Sequence, residues 1–254
     1  MRVSVVVPLH DEEGNVTPLL EELLPILEGI DPGAEVILVD DGSRDRTADR
    51  IREAQSRWPG TVRHLSLRRN TGQTAALDAG FRAARGELIV MMDGDLQVDP
   101  RDIPMMVDLA REWDVVHGWR WQRRDTAFKR LQTRIANAVR NRLTGSRIHD
   151  TGCPLKVFRR EVVTSLKLYT GMHRFLVTLA ELEGFTTHEV KVRHRPRASG
   201  RSKYGMWNRA LRGFRDLFAV RWMRARHYRL DVREVEAVGS DARRELLGND
   251  ARCG

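Results

Sequence analysis

The 254-residue sequence predicts an α/β fold, a mostly parallel Rossmann-like sheet flanked by helices. Two observations carry the prediction. Short β-branched or apolar runs alternate with amphipathic segments through the first hundred residues, the rhythm of strand and crossover helix. Three of those runs end in acidic turns, which places the turns together at the carboxyl ends of neighbouring strands.

Val3 to Val7 is β-branched apart from Ser4 and reads as the first strand. Val16 to Leu27 reads as a helix with Pro25 near its end. Glu35 to Val39 is a second strand, followed by Asp40-Asp-Gly-Ser43 and a helix from Thr47 to Ser56. Val62 to Leu67 is a third strand, Thr74 to Ala84 a helix stopped by Gly86, and Leu88 to Met92 a fourth strand. His10-Asp-Glu12 follows strand one, Asp40-Asp41 strand two, and Asp93-Gly-Asp95 strand four.

The second half is less regular. Phe128 to Leu143 is amphipathic, with Leu131, Ile135, Ala138 (or Val139) and Leu143 on one face and Lys and Arg opposite. Asp150-Thr-Gly-Cys-Pro-Leu-Lys-Val-Phe158 reads as a turn leading into a short strand. Glu161 to Leu166 reads as a helix, Phe185 to Val192 as a strand, and Arg195 to Tyr204 as a loop. Trp207 to Tyr228 is the last long helix. Trp207, Leu211, Phe214, Phe218 and Trp222 recur at helical spacing, against Arg209, Arg212, Arg215, Arg221 and Arg224. Such a helix either lies at a membrane interface or packs its stripe on the domain. Residues 230–254 form a charged tail.

No apolar run approaches the ~20 residues that a membrane helix needs. The N-terminus is too short and strand-like for a signal peptide. Two cysteines, Cys153 and Cys253, give neither a disulfide framework nor a four-ligand zinc set, and a reducing cytosolic setting is expected. Net charge is +9, unevenly spread. Arg193 to Arg229 holds eleven Arg and one Lys against one acid, a local +11 that leaves −2 for the rest. A segment this basic seeks an anionic partner: nucleic acid, membrane surface or phosphorylated substrate.

Side chains at i and i+2 of a strand leave on the same side, so Asp93, Asp95 and Gln97 are expected to point together. Two close carboxylates repel by roughly 4 kcal/mol at an effective dielectric near 20. A divalent cation removes that penalty, accepts hard oxygen ligands and can carry a diphosphate. Asp40-Asp41-Gly-Ser43 with Thr47 has two readings. Its side chains supply a turn and a helix cap, or a carboxylate there accepts the imide N–H of uracil or the N1–H of guanine. The basic loop Arg197 to Tyr204 suits a diphosphate through forked Arg contacts and the point charge of Lys203. There is no Gly-x-Ser-x-Gly elbow, Walker loop or Gly-x-Gly-x-x-Gly.

Together these pieces resemble a family 2 glycosyltransferase of the GT-A fold. They are most similar to the polyprenyl-phosphate sugar transferases: dolichol-phosphate mannose synthases and bacterial undecaprenyl-phosphate sugar transferases. The residues that carry the resemblance are Val5 through Glu12, Val39 through Ser43, Asn70-Thr-Gly72 with Ala76 and Gly80, Met92 through Gln97 with Pro100, Gly118-Trp-Arg120, Asp150 through Arg160, and Arg197 through Tyr204. It covers about residues 3 to 222 and rests on their order and spacing. It implies that Pro8, His10, Glu12 and Asp41, with Asp40 and Gly72 beside them, line the nucleotide-sugar pocket. It implies that Asp93, Asp95 and Gln97 hold Mg²⁺ or Mn²⁺, and that Arg197 and Lys203 grip the diphosphate. Arg120, with Arg130 and Arg134, receives the acceptor's lipid phosphate, and Asp150 orients the acceptor or the sugar hydroxyls. Residues 1–229 are then one domain, about 1–110 its nucleotide-sugar half and 111–229 its acceptor half. His10 and Asp11 stand where Tyr and Asn are commoner in the family, so base stacking is weaker or base preference altered.

The implied reaction is an inverting transfer of sugar from a UDP- or GDP-sugar to a polyprenyl phosphate, with Asp95, Asp150 and Arg120 as catalytic residues. The alternative is the same fold acting on a glycan or protein hydroxyl in cell-envelope polysaccharide synthesis. A non-enzymatic module for nucleic acid or membrane surface explains the basic segment but leaves the acidic rim unexplained; no nucleic-acid partner is expected. Many bacterial relatives continue into transmembrane helices where this chain runs into its charged tail. The expected place is therefore cytoplasmic, peripheral on the inner face of the cell membrane, directly or through a membrane partner protein.

Overall fold

The seven strands are β1 Val3–Leu9, β2 Glu35–Asp40, β3 Val62–Ser66, β4 Leu88–Met91, β5 Val115–Trp119, β6 Lys156–Arg159 and β7 Thr187–Lys191. They form one sheet in the order β3-β2-β1-β4-β6-β5-β7. The first four strands are mutually parallel where they pair. β6 runs antiparallel to both neighbours, and β5 and β7 are parallel. The computed structural model describes residues 2–121, 142, 145, 148–195 and 206–228, with side chains of the last segment from 215 onward.

The helices are α1 Val16–Ile30, α2 Thr47–Arg57, α3 Gln73–Ala83, α4 Ile103–Leu109, α5 Arg160–Ser165, α6 Leu176–Glu183 and α7 Met206–Arg226. Strand alternation divides them between two layers. Val3, Val5, Val7 and Leu9 join Leu19, Leu20, Leu23, Leu27, Ile51 and Met106 on one face. Val6, Ile37 and Val39 join Leu77, Phe81, Val162, Leu176, Leu217 and Val220 on the other. Burial on both faces explains why β1, β2 and β4 read as nearly continuous apolar runs. At Gly80 a Cβ would lie 2.3 Å from Val6 Cγ1, so glycine lets α3 press onto β1.

Several boundaries differ from the sequence expectation. α1 continues through Pro25 to Ile30, because its buried Leu19, Leu20, Leu23 and Leu27 outweigh the lost backbone donor. α3 ends at Ala83, short of Gly86. Gly86 instead meets β1: its N–H donates to Ser4 Oγ at 2.7 Å, and a Cβ there would lie 2.6 Å from the Ser4 backbone nitrogen. α4, β5 and α6 were not expected. α4 is only seven residues, β5 is interrupted by His117 and Gly118, and α6 is buried along its first five residues, which hides an amphipathic period.

The expected helix from Phe128 to Leu143 and the loop after Arg195 lie outside the described residues. In α7 the expected single stripe splits. Leu217 and Val220 enter the core, whereas Phe218 and Trp222 are 50% and 62% exposed beside exposed Arg215 and Arg221. Among the described residues no helix is long and apolar enough to cross a membrane.

Candidate active site

The rim is formed by loops at the carboxyl ends of β1, β2 and β4, and side-chain-to-backbone hydrogen bonds tie them together. Asp11, at φ 52°, donates its N–H to Ser43 Oγ at 2.9 Å and accepts from Arg44 N–H at 2.8 Å. Glu12 N–H donates to Thr47 Oγ1 at 2.8 Å, and the Glu12 carboxylate accepts from Asn15 at 2.6 Å. Ser43 and Thr47 therefore fasten the β1 loop rather than cap α2, as a local reading had it. Asp45 does sit at that helix start, accepting from Thr47 N–H at 2.9 Å. Pro8 lies two residues past the last β1–β4 pair, Val6 and Met91, so its missing N–H takes no bond from that pairing.

Asp40 and Asp41 are buried, at 3% and 4% exposure, and both hold backbone. Asp40 accepts from Ser43 N–H, three residues on, at 3.0 Å and so closes the turn after β2. Asp41 accepts from Thr71 N–H at 2.7 Å and Gly72 N–H at 2.8 Å, which fixes the entry to α3. Gly72 has φ 99°, a conformation glycine takes without strain. Each carboxylate oxygen has a second lone pair, so these bonds leave Asp41 acceptor capacity for a ligand N–H. His10 Nε2 lies 3.5 Å from Asp11 Oδ2 at the same rim.

The metal motif departs from the strand geometry expected of it. β4 ends at Met91, and residues 94–96 bend, with Leu96 at φ 60°. Asp93 and Asp95 thus belong to a loop, and strand alternation does not set their directions. Asp93 Oδ1 accepts from Gln73 Nε2 at 2.8 Å, and Asp95 Oδ1 from Gln97 N–H at 3.2 Å. Asp93, Asp95 and Gln97 offer two carboxylates and an amide carbonyl, an all-oxygen set that fits a hard cation such as Mg²⁺ or Mn²⁺. Among the described residues no group of three or more His, Cys, Asp and Glu gathers to hold a metal ion. A cation here would take its remaining ligands from substrate or water.

Arg120 and Asp150 come together across the site. Arg120 Nε reaches Asp150 Oδ2 at 2.8 Å and Nη2 reaches Oδ1 at 3.0 Å. Burial opposes the guanidinium charge, but Asp150 beside it, helped by Cys153 and Asp93, holds its pKa above the ordinary arginine value. Asp150 is also part of a turn, since Cys153 N–H donates to its carbonyl at 3.3 Å. Glu189 receives the His149 and Asp150 N–H groups at 3.0 and 3.1 Å, and His149 stacks on Trp119 with centroids 4.6 Å apart.

The segment that ends at Arg195 is anchored beside Gln97. Arg195 N–H donates to the Gln97 carbonyl at 2.8 Å, and its guanidinium meets Asp99 at 3.0 Å and Glu22 at 2.6 Å. Arg101, with Arg195 beyond it, holds the buried Asp99 carboxyl well below the usual carboxylate range. Arg197, Lys203, Arg130 and Arg134 lie outside the described residues.

Sequence reasoning missed Lys156. Its side chain is 1% exposed, and Nζ donates to the carbonyls of Thr151 and Cys153. The available signal was a lysine inside the apolar run Leu155-Lys-Val-Phe158.

The family model described as "Glycosyl transferase family 2" matches residues 4–166. The dodecaprenyl-phosphate galacturonate synthase of Rhizobium johnstonii is 41% identical over 225 residues, 87% of this chain and 66% of that protein. The undecaprenyl-phosphate 4-deoxy-4-formamido-L-arabinose transferase of Pseudomonas aeruginosa is 40% identical over 205 residues, 80% of this chain and 60% of that protein. The chain thus spans 60–66% of the length of these curated relatives. Among solved structures, glucosyl-3-phosphoglycerate synthase from Mycobacterium tuberculosis with UDP matches with TM-score 0.62 at 20% identity, covering 93% of this chain and 84% of that one. The mannosyltransferase PcManGT from Pyrobaculum calidifontis, with GDP-Man and Mn²⁺, matches with TM-score 0.58 at 20% identity, covering 88% and 69%. These likenesses show the GT-A fold.

Proposed function

The chain belongs to glycosyl transferase family 2, and on that premise we propose that it transfers a sugar, with inversion at the anomeric carbon, from a UDP- or GDP-sugar to a polyprenyl phosphate. The observation that carries this reading is the convergence of opposite charges at one rim. The acidic pair Asp93 and Asp95 suits a cation-bearing diphosphate, and Arg120, its guanidinium set by Asp150 at 2.8 and 3.0 Å, suits a second phosphate.

The chemistry asks little more of the protein. A phosphate monoester is largely ionised at neutral pH, its second pKa being ~6, so the attacking oxygen needs no strong base. What it needs is position, which an arginine fork supplies. Asp150, paired with Arg120, serves as an orienting group. Bound Mg²⁺ or Mn²⁺ would stabilise charge on the departing diphosphate. In this scheme Pro8, His10, Glu12, Asp40, Asp41 and Gly72 line the base and ribose pocket. Arg197 and Lys203 grip the diphosphate, while Arg130 and Arg134 join Arg120 at the lipid phosphate. Residues 1–110 serve the donor and 111–229 the acceptor.

The names of the two relatives support a polyprenyl-phosphate acceptor. α7, with Phe218 and Trp222 outward among arginines, suits an anionic membrane surface or a membrane partner, and a peripheral place on the inner face. The test supplies UDP- and GDP-sugars with a short polyprenyl phosphate and, separately, with free glycans, in the presence of Mn²⁺. Sugar appearing on the lipid phosphate supports the reading; sugar appearing only on glycan hydroxyls overturns it.

A further inference from the structure

We infer that Lys156 is the positioning residue for the acceptor-phosphate end of this site, holding Asp150, and through it Arg120, by hydrogen bonds from its ammonium to the carbonyls of Thr151 and Cys153. The inference rests on the proposed role of Arg120 as the group that receives the acceptor phosphate.

Lys156 opens β6, opposite Met91 of β4 and His117 of β5, in the middle of the sheet. It is among the largest fully buried side chains of the protein. A buried ammonium is costly unless paired and hydrogen-bonded. Among the described residues no carboxylate lies within ion-pairing distance of Nζ; its named partners are the two carbonyls. An apolar side chain of similar length would avoid that cost, so packing alone does not account for a lysine here.

Both carbonyls belong to the turn that begins at Asp150. Residue 151 is buried, Cys153 is fully buried, and Cys153 N–H closes back on the Asp150 carbonyl at 3.3 Å. A Cβ on residue 152 would stand 3.3 Å from Arg120 Nη2, so the turn also forms the surface on which the guanidinium lies. The chain of contact therefore runs from Lys156 to the carbonyls of 151 and 153, to the Asp150 carboxylate, to the Arg120 fork. Burial pushes the Lys156 pKa below its usual value, against the opposing pull of Cys153, Asp150 and Asp93, which places the Asp150 carboxylate among its electrostatic neighbours. Removing the ammonium leaves two buried carbonyls unsatisfied and lets the turn relax. A shift of the fork by about 1 Å is enough to cost on the order of 10²-fold in a positioned reaction.

The test measures binding of farnesyl phosphate and, separately, of UDP or GDP with Mn²⁺ to the full chain by calorimetry, in wild type, Lys156→Met and Lys156→Arg. Lys156→Met is expected to weaken farnesyl phosphate at least ten-fold and leave nucleotide affinity within two-fold. Lys156→Arg, which keeps donors for the carbonyls, is expected to recover most of the loss. Unchanged farnesyl phosphate affinity in Lys156→Met overturns the inference alone, as does an equal loss of nucleotide and farnesyl phosphate, which marks a general structural role. If Lys156→Met does not fold, Lys156→Gln carries the comparison, and wild-type phosphate affinity there overturns the inference. A wild type that binds nucleotide but not farnesyl phosphate overturns the acceptor reading and the inference with it.

Discussion

Arg120 and Asp150 share a two-bond fork while only 14% and 12% exposed, and the carboxylate compensates the guanidinium for leaving water. Removing one partner of such a pair strands a buried charge and costs roughly 3–5 kcal/mol. Asp150→Ala is therefore expected to lose stability on that scale in urea titrations and to lose transfer activity. Asp150→Asn keeps an acceptor and should lose less stability. Wild-type urea stability in Asp150→Ala would show that the fork contributes nothing to the fold.

Asp95 sits partly exposed in a bend and accepts from Gln97 N–H at 3.2 Å. Its truncation leaves the sheet and both cores untouched. Asp95→Ala is expected to stay within about 1 kcal/mol of wild type, as surface changes commonly do. Transfer should fall at least 100-fold, and the rise in melting temperature that UDP or GDP gives with Mn²⁺ should vanish, because a ligand that no longer binds the native state cannot stabilise it. Turnover at the wild-type rate would remove Asp95 from the proposed metal set.

Gly94 separates the two aspartates, and a Cβ there would lie 2.3 Å from Leu9 Cδ2 and 3.3 Å from Val7 Cγ1. Glycine is what allows the loop to lie on the end of β1. Gly94→Ala is expected to destabilise by about 1–3 kcal/mol through overpacking. It should also raise the donor KM, since the loop that carries both carboxylates must lift. A donor KM equal to wild type in a destabilised variant would mean that Leu9 moves instead and the loop stays.

The half of the sheet from β1 to β4 was legible because its residues obey one rule at a time. Val5 and Val7 face one helical layer and Val6 the other, so a β-branched run buried on both faces was enough. β5 was not legible, since His117 and Gly118 interrupt its pattern for reasons that lie on other elements: Gly118 admits Cys153 and Val192, and His117 faces Lys156. At the rim, the positions of Asp40, Asp41, Asp93 and Asp95 followed from strand ends. The partners of Asp41 and Asp93 did not, because Thr71 and Gly72 lie in the loop before α3 and Gln73 opens that helix. Ser43 and Thr47 show the same limit: a local pattern suggested a helix cap, and contacts more than thirty residues away decided otherwise.

His117 links this buried chemistry to pH. It is 2% exposed, and burial, reinforced by Lys156 and only partly countered by Asp150, pushes its pKa down to about 3. Glu189 lies 3.7 Å from Nδ1, and the histidines at 149 and 188 are further ionisable neighbours. The unfolded chain binds a proton at this residue as pH falls through its ordinary value of 6.5, whereas the folded chain does not until about 3. The contribution of His117 to stability is thus complete above pH 6.5 and is lost progressively between 6.5 and 3. At 1.36 kcal/mol per unit of pKa difference, the loss by pH 5 is roughly 2 kcal/mol. His173, hydrogen-bonded to the Thr74 hydroxyl at 2.8 Å and likewise pushed down to about 3, acts in the same direction. Urea midpoints measured from pH 7.5 to 5 should fall more steeply for wild type than for His117→Asn, even though the variant is less stable at pH 7.5. Parallel curves would mean that the ring takes up a proton in the folded state, in which case it is paired with Glu189 rather than held neutral.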